Sequence, residues 1–418
     1  CDWSSDVCSS DLSHLINVSN LTKQEINMKK TLVSLAAAAA LTTGAMAADK
    51  GIDIVTTGQA VVYYQTSETD NTVGSDLFDQ GSSSANVGVQ LNLNADLKNN
   101  FTFGSQLTYL GTAGLENNLV SGVRQTAGSI IAGSTTDEIA LTKIFVAKKI
   151  ANTTVKIGRQ ELPKSLSPLA YTEGWNVFKN TFDAILAVNT DLPDTTLVGA
   201  YVGHTTGHTL GSFASLMNGA YMLTAQNTSI PMATVTASYY RVTNTADAMW
   251  LNVDVAGKDL PMGLKVSLQA GNLDADAAGT KDTDAYGIKA SIKPMDALTL
   301  CAAYTDVNDG TLAVQNLGTG VKSPLYTQMV ANQNDIATDA DTYMIKAAYS
   351  LGDMGTVIAQ YADTDDNAVA NADYAEFDLI YKVKAAGVSY FAAYVNQNEK
   401  ATLTNDTDIV RLWARYNF

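Results

Sequence analysis

The sequence predicts an all-β protein, a transmembrane antiparallel β-barrel of about 18 strands. Apolar and polar residues alternate in many segments of about ten residues, which is the pattern of a strand with one apolar and one polar face. Short turns and longer polar connections alternate between these segments. No segment after residue 47 approaches the about 20 consecutive apolar residues that a membrane helix needs. Together these features favour a barrel with an apolar exterior and a polar lumen.

The clearest hairpin lies between Val87 and Tyr109. From Val87 to Leu97 the odd residues are apolar and the even residues are small or polar. The alternation resumes after residues 98–100, with Phe101, Phe103, Leu107 and Tyr109 on one side. We therefore expect two antiparallel strands with their apolar faces on the same side.

The same unit recurs as one initial strand, eight hairpins and one final strand. An even number of strands lets the first and last strands pair, which removes the open sheet edges that lipid does not tolerate. We interpret the short connections as periplasmic turns and the longer ones, such as 66–84, 111–137 and 306–341, as external loops. The sequence does not decide which side chains of the first strand point into the lumen, because Val61-Val62-Tyr63-Tyr64 interrupts the alternation.

The N-terminal residues are predicted to be processed away. Residues 1–27 look like a translated sequencing adaptor followed by untranslated sequence, so they are expected to be an artefact or an untranslated leader. Residues 28–47 have the basic start, the short apolar core and the Ala45-Met46-Ala47 end of a signal peptide. The exported chain would be 48–418, with Cys301 as its one cysteine and no disulfide framework.

Composition and motifs give no support for nucleic-acid binding, catalysis or a cofactor. The formal net charge of −16 argues against nucleic acid. His204 and His208 lie among glycines without a third metal ligand, and no nucleophile–base pair is evident. The aspartates at 274–276 and 363–366 lack the glycine and terminal glutamate of a twelve-residue calcium loop. We therefore predict no enzyme, no metal and no cofactor, and calcium binding by the acidic loops stays open.

Two stretches resemble a known class of proteins. Arg415-Tyr416-Asn417-Phe418 resembles the closing strand of Gram-negative outer-membrane proteins, in which the barrel-assembly machinery reads the terminal aromatic residues. The segment 156–162, with Pro168-Leu169 and 180–183, is similar to the third-loop region of the Opr and epsilonproteobacterial major outer membrane porins. This resemblance implies an 18-stranded passive channel whose third loop, about 162–180, folds into the lumen. It also implies that the barrel-assembly machinery recognises Tyr416 and Phe418. The resemblance does not decide whether the protein is a monomer or a homotrimer.

The candidate site is a set of lumen-facing charges. Counting the alternation back from Phe418 places a mainly basic column inside, and the third loop would add an acid and an aromatic ring. The candidate pore-lining residues are Arg411, Arg415, Lys265, Lys289, Lys293, Lys346, Lys382, Asp378, Glu173 and Tyr171. Opposed charges of this kind would create a transverse field at a constriction. The alternative is lumen salt bridging without a role in selectivity.

The leading interpretation is a porin in the cell outer membrane, which passes ions and small hydrophilic solutes by passive diffusion. From the net acidity we expect a weak preference for cations. A substrate-specific outer-membrane channel is the alternative within transport. In a different class, a secreted β-rich adhesin or surface-layer protein would pack its strands as a soluble sandwich. The alternation of turns and loops, the even strand count and the terminal aromatic strand favour the porin.

Overall fold

The computed structural model confirms a closed antiparallel barrel of 18 strands. It describes residues 52–70, 72, 76–128, 137–211, 214–367, 373–399 and 406–418, so the predicted leader and signal peptide lie outside the described residues. The barrel closes because β1, Asp53–Thr69, pairs with β2, Ser83–Lys98, on one side and with β18, Thr407–Asn417, on the other. No helix in these ranges is long and apolar enough to cross a membrane.

The remaining strands follow in chain order, and each pairs with its sequence neighbours. They are β3 Phe101–Gly111, β4 Asp137–Ile150, β5 Thr153–Gln160, β6 Phe182–Asn189, β7 Thr195–Thr205, β8 Ala214–Asn227, β9 Ala233–Val242, β10 Ala246–Ala256, β11 Lys265–Ala275, β12 Thr283–Met295, β13 Leu298–Val307, β14 Ala340–Ser350, β15 Thr356–Asp366, β16 Tyr374–Ala385 and β17 Val388–Glu399.

A pair of backbone hydrogen bonds seals the barrel at the end where the turns lie. Gly58 N donates to Phe418 O over 2.6 Å, and Phe418 N donates to Gly58 O over 3.0 Å. A Cβ on residue 58 would lie 2.3 Å from the Phe418 ring, so the close approach requires glycine. First and last strands therefore meet through both backbone and ring.

The two faces of the sheet follow the predicted alternation. Leu379 is 46% exposed on the outside, whereas its neighbour Asp378 has no exposed surface inside. On β1, Val62 points outward at 50% exposure, while Val61 and Tyr63 are buried on the inner side. Inward apolar residues on β1 need a cover inside the lumen, and residues of the long connections 112–136 and 161–181 supply part of it.

The connections 112–136, 161–181 and 308–339 are the longest between strands. Val177 and Phe178 of the second pack on Val61 and Tyr63 of β1 inside the barrel. The third, the β13–β14 loop, differs from the external polar loop expected there, because its apolar residues turn inward. Val314, Leu325 and Ile336 are buried, and they pack into the same cluster as residues of the 161–181 connection.

Aromatic residues ring the end of the barrel that carries the long loops. Five outward tyrosines at this end each donate their hydroxyl to a nearby aspartate. The pairs are Tyr109–Asp137, Tyr239–Asp247, Tyr304–Asp341, Tyr361–Asp363 and Tyr394–Asp408. These rings lie where the apolar band of a membrane barrel meets the polar headgroups.

Candidate functional site

Two connections meet in the lumen and narrow it. They are the β5–β6 loop, residues 161–181, and the β13–β14 loop, residues 308–339. Leu317 N donates to Leu169 O over 2.8 Å, and Tyr171 Oη donates to Ser323 O over 3.1 Å. Asn316 Nδ2 also donates to Tyr171 O over 2.8 Å. The two loops therefore form one hydrogen-bonded unit across the barrel interior.

Glu173 lies at the centre of this unit and is 4% exposed. Its Oε1 accepts hydrogen bonds from Asn316 Nδ2 at 2.6 Å, Thr319 Oγ1 at 2.5 Å and Lys322 N at 3.2 Å. Its Oε2 accepts a hydrogen bond from Trp175 Nε1. All of these donors belong to the two loops, so the carboxylate joins the loops and faces little of the lumen.

Tyr171 lies beside Glu173 and is also buried. Burial raises the pKa of its phenol well above the usual range, and the charge of Glu173 raises it further. Lys164 Nζ lies 4.7 Å from the centre of the Tyr171 ring. The phenol therefore stays neutral and supports the junction between the loops.

Arg411 and Arg415 both point inward from β18. Arg411 is 6% exposed, and its Nε donates to Gln65 Oε1 over 3.0 Å. Arg415 Nη1 donates to Gln59 Oε1 over 3.0 Å, and its Nη2 donates to Asn176 O in the β5–β6 loop over 2.8 Å. Both guanidiniums are thus held in place by neutral acceptors, which leaves their charge uncompensated at short range.

A third arginine, Arg124 of the 112–136 connection, joins this region and was not predicted from the sequence. Its guanidinium lies 4.8 Å from the centre of the Trp175 ring. Burial lowers the pKa of Arg124, Tyr63 raises it, and the nearby charge of Arg411 lowers it. Its Nε is buried without a hydrogen-bond partner. In the part of the chain that the structure describes, none of the three arginines forms an ion pair with a carboxylate.

The predicted lysines are distributed along the inner wall. Lys265 and Lys293 are exposed, and Lys346 is half-buried. Lys289 Nζ lies 4.3 Å from the centre of the Tyr326 ring, and Lys382 Nζ lies 5.9 Å from that of Phe391. The pairing of strands joins six inner positions in one row across β11 to β16, namely Lys265, Ser291, Cys301, Lys346, Gln360 and Asp378.

An aromatic pair lies next to these cations. Phe391 and Trp413 stack with ring centres 5.1 Å apart and planes 3° apart. Arg415 lies 4.8 Å from the centre of the Trp413 ring, and Lys382 adjoins Phe391. Both rings are half-buried, so one stacked surface with cations at its edges faces the lumen.

Asp378 and its neighbour Glu376 are fully buried. The β13–β14 loop covers them, because Val330 N donates to Asp378 Oδ2 over 3.3 Å and Ala331 N donates to Glu376 Oε1 over 2.9 Å. Asp378 therefore lies behind the loop and away from the open lumen.

The two histidines lie in different surroundings. His204 Nδ1 is 3.8 Å from Asp183 Oδ2, whereas the His208 ring makes an edge contact with Trp175 at 5.3 Å. Burial lowers the pKa of His208, while Glu173 raises it and Arg124 lowers it. Within the described ranges, no group of three or more His, Cys, Asp or Glu side chains is arranged to hold a metal ion.

The closed 18-stranded antiparallel barrel, with an apolar exterior and loops folded into a polar lumen, has the architecture of a transmembrane β-barrel. Its fold is that of solved proteins of Pseudomonas aeruginosa and Acinetobacter baumannii, among them an outer membrane protein, OpdK. P. aeruginosa OccK8 (OprE) matches with a TM-score of 0.70 at 16% identity, over 88% of this chain and 98% of that one.

P. aeruginosa OpdK, solved with vanillate, matches with a TM-score of 0.71 at 13% identity, over 87% of this chain and 98% of that one. A. baumannii OccAB4 matches with a TM-score of 0.71 at 12% identity, over 87% and 98%. No family model and no curated protein matches the sequence.

Proposed function

We propose that the protein is a passive channel for small hydrophilic solutes and ions, and that its constriction favours solutes that carry a carboxylate. The observation that carries this proposal is the convergence of Arg124, Arg411 and Arg415 without an acidic partner in the described part of the lumen. Guanidinium groups held by neutral acceptors keep their positive field for a passing anion.

The position of Glu173 decides the sign of the preference. A weak cation preference is expected from the net charge, and an acid that faces the solutes at the narrowest point would support it. Four donors from the two loops surround the Glu173 carboxylate, whereas Arg411 and Arg415 are held by neutral acceptors and form no ion pair with a carboxylate among the described residues. Charges at a constriction are screened less than charges at the mouth, so the arginines are expected to dominate selectivity.

The test is the reversal potential of refolded protein in a planar bilayer across a salt gradient. Wild type should prefer anions, and Arg411→Glu should move the reversal potential toward cations. Arg411→Lys, which keeps the charge, should retain the anion preference. Asp365→Asn, at an outward position near the loop end of β15, is the matched control and should change it little. Equal shifts from Arg411→Glu and Asp365→Asn would contradict the proposal, and a silent bilayer would favour the adhesin.

A second candidate function is a channel specific for aromatic carboxylates. The stacked Phe391–Trp413 surface with Arg415 and Lys382 at its edges favours it, since aromatic rings stack on such a surface while cations hold the carboxylate. The similar outer membrane protein OpdK was solved with vanillate. A specific channel should show chloride current that vanillate blocks at saturating concentration, and Trp413→Leu should weaken this block. A general channel would conduct without saturable block.

A further inference from the structure

The β13–β14 loop is held to the barrel wall through two carboxylates and two apolar contacts. Val330 N and Ala331 N donate to Asp378 and Glu376 on β16, as described above. Met329 packs in a cluster with Ala303, Met344 and Ala362, and Val330 packs against Ile358, Ile380 and Ala393. Because this loop is half of the constriction, whatever holds it to β16 sets the width of the passage.

The two carboxylates are close together and poorly compensated. They lie two residues apart on the inner face of one strand, and both have no exposed surface. Glu376 Oε2 accepts a hydrogen bond from Tyr374 Oη over 2.7 Å, and Asp378 Oδ2 accepts one from Gln360 Nε2 over 2.5 Å. Asp378 Oδ1 is buried and has no hydrogen-bond partner among the described residues.

Other charged groups face this pair from the surrounding elements. Lys322 of the loop, Lys346 of β14 and the phenol of Tyr374 act on the pair directly. Arg411 of β18 and Glu173 act on Lys322, and Asp335 acts on Tyr374. Lys322 Nζ donates to Met329 O at 2.9 Å and Val330 O at 2.8 Å. Neither carboxylate forms an ion pair in the described part of the chain, so Lys322 and Lys346 compensate the charge of the pair only at longer range.

We propose that the Glu376–Asp378 pair carries one proton, held by Asp378, while the β13–β14 loop is docked, and that loss of this proton releases the loop and widens the channel. The unpartnered Asp378 Oδ1 is the atom that carries the proton, since a proton there removes one of two like charges in a dry site. When the proton leaves, two buried negative charges need water, and water reaches them only if the loop moves away.

The direction of the pH response follows from proton binding. The docked loop binds one more proton at the carboxylate pair than the released loop, in which both carboxylates meet water. Rising pH therefore favours the released loop. Burial lowers the pKa of Lys322 to about 8, so Lys322 titrates in the same range with the opposite sign. The contribution of the carboxylate pair to the pH response is therefore the difference between the pH response of wild type and that of a variant that lacks the proton on Asp378.

The first test measures single-channel conductance of the refolded full chain from pH ~6 to ~9, a range that spans the proposed titration. Wild-type conductance should rise with pH. Asp378→Asn places an amide where the proton lies, so it should lose most of that rise. Asp378→Ala removes the acceptor of Val330 N and should have the raised conductance at every pH. Asp365→Asn removes one negative charge at the loop end and should respond to pH as wild type does.

The second test measures the position of the loop without relying on conduction, so that it is independent of the proposed channel function. Spin labels at Asn334→Cys in the loop and Asp353→Cys in the β14–β15 turn, in a Cys301→Ser background, report the distance between loop and turn. Both sites are exposed. The distance distribution should change with pH in wild type, stay constant in Asp378→Asn, and be shifted at every pH in Asp378→Ala.

The outcomes separate the two proposals. A pH-dependent distance in a protein that does not conduct supports the proton-held loop and contradicts the channel. A conducting protein whose distance and conductance ignore pH, or whose Asp378→Ala variant matches wild type in both, overturns the proton-held loop. A rise that is equal in wild type and Asp378→Asn shows that the carboxylate pair is not its source and also overturns the proton-held loop.

Discussion

Replacing Glu173 by alanine is expected to separate the two loops of the constriction. The substitution removes the acceptor of Lys322 N and Trp175 Nε1, and two of its other partners, Asn316 and Thr319, also lose a bond. A buried N–H left without its acceptor costs about 1–3 kcal/mol. For the two N–H groups the closed arrangement should lose roughly 2–6 kcal/mol relative to an arrangement in which water reaches them.

That cost is comparable to the worth of the remaining loop–loop bonds. Five of the described loop–loop hydrogen bonds persist in the variant, and each is worth about 0.5–1.5 kcal/mol. They are Leu317–Leu169, Tyr171–Ser323, Lys164–Ser323 and the two between Tyr171 and Asn316. Glu173→Ala should therefore populate an open arrangement, with higher single-channel conductance and more current noise. Glu173→Gln keeps one acceptor oxygen and should fall between alanine and wild type.

The assay pairs conductance with limited trypsin digestion, because Lys164, Lys179 and Lys322 lie in the two loops. Glu173→Ala should be cut faster there than wild type. Glu116→Ala removes the same charge from the 112–136 connection and serves as the control. If Glu173→Ala keeps both wild-type conductance and wild-type protease resistance, the carboxylate does not hold the loops together.

Two further predictions concern facing and pH. Leu379→Arg should cost about 2–4 kcal/mol of folding free energy if Leu379 lies near the bilayer midplane. Asn94 is exposed on the inner face of β2, so Asn94→Arg should cost little. Urea unfolding in lipid vesicles measures both free energies, and equal costs would contradict the assignment of the outer and inner faces. His208 has a pKa below its usual 6.5, so it is neutral at neutral pH and gains its charge beside Arg124 only on acidification. Anion preference should therefore increase as the pH falls below that value, and His208→Asn should lack the increase in reversal-potential measurements.

The strands were predictable because each has one face in lipid and one in a polar lumen. The period-two pattern is clear at Leu91 and Leu379 for that reason. It fails at Val61 and Tyr63, where the inner face is apolar because Val177 and Phe178 cover it. A local bulge between Gln106 and Leu107 in the pairing of β3 with β4 also shifts the register, and no sequence pattern marks it.

The candidate site was predictable only in part. Arg411 and Arg415 lie on a regular strand, so counting from Phe418 places them inside. Glu173 is in an irregular loop, where alternation gives no direction for its side chain. The inward course of the β13–β14 loop had one signal in the sequence, namely several apolar residues in a connection too long for a tight turn: Leu312, Val314, Leu317, Leu325, Met329, Val330 and Ile336. A solvated loop has no need of such residues.

The five tyrosine–aspartate pairs at the loop end of the barrel have a mechanical consequence. A tyrosine whose hydroxyl is held by a carboxylate on its own or an adjacent strand cannot swing freely between headgroups and acyl chains. Sinking the barrel would pull these carboxylates into hydrocarbon, and lifting it would expose the rings to water. The pairs resist vertical displacement in both directions. They therefore fix the height of the channel mouth, and with it the height of the constriction, relative to the membrane surface.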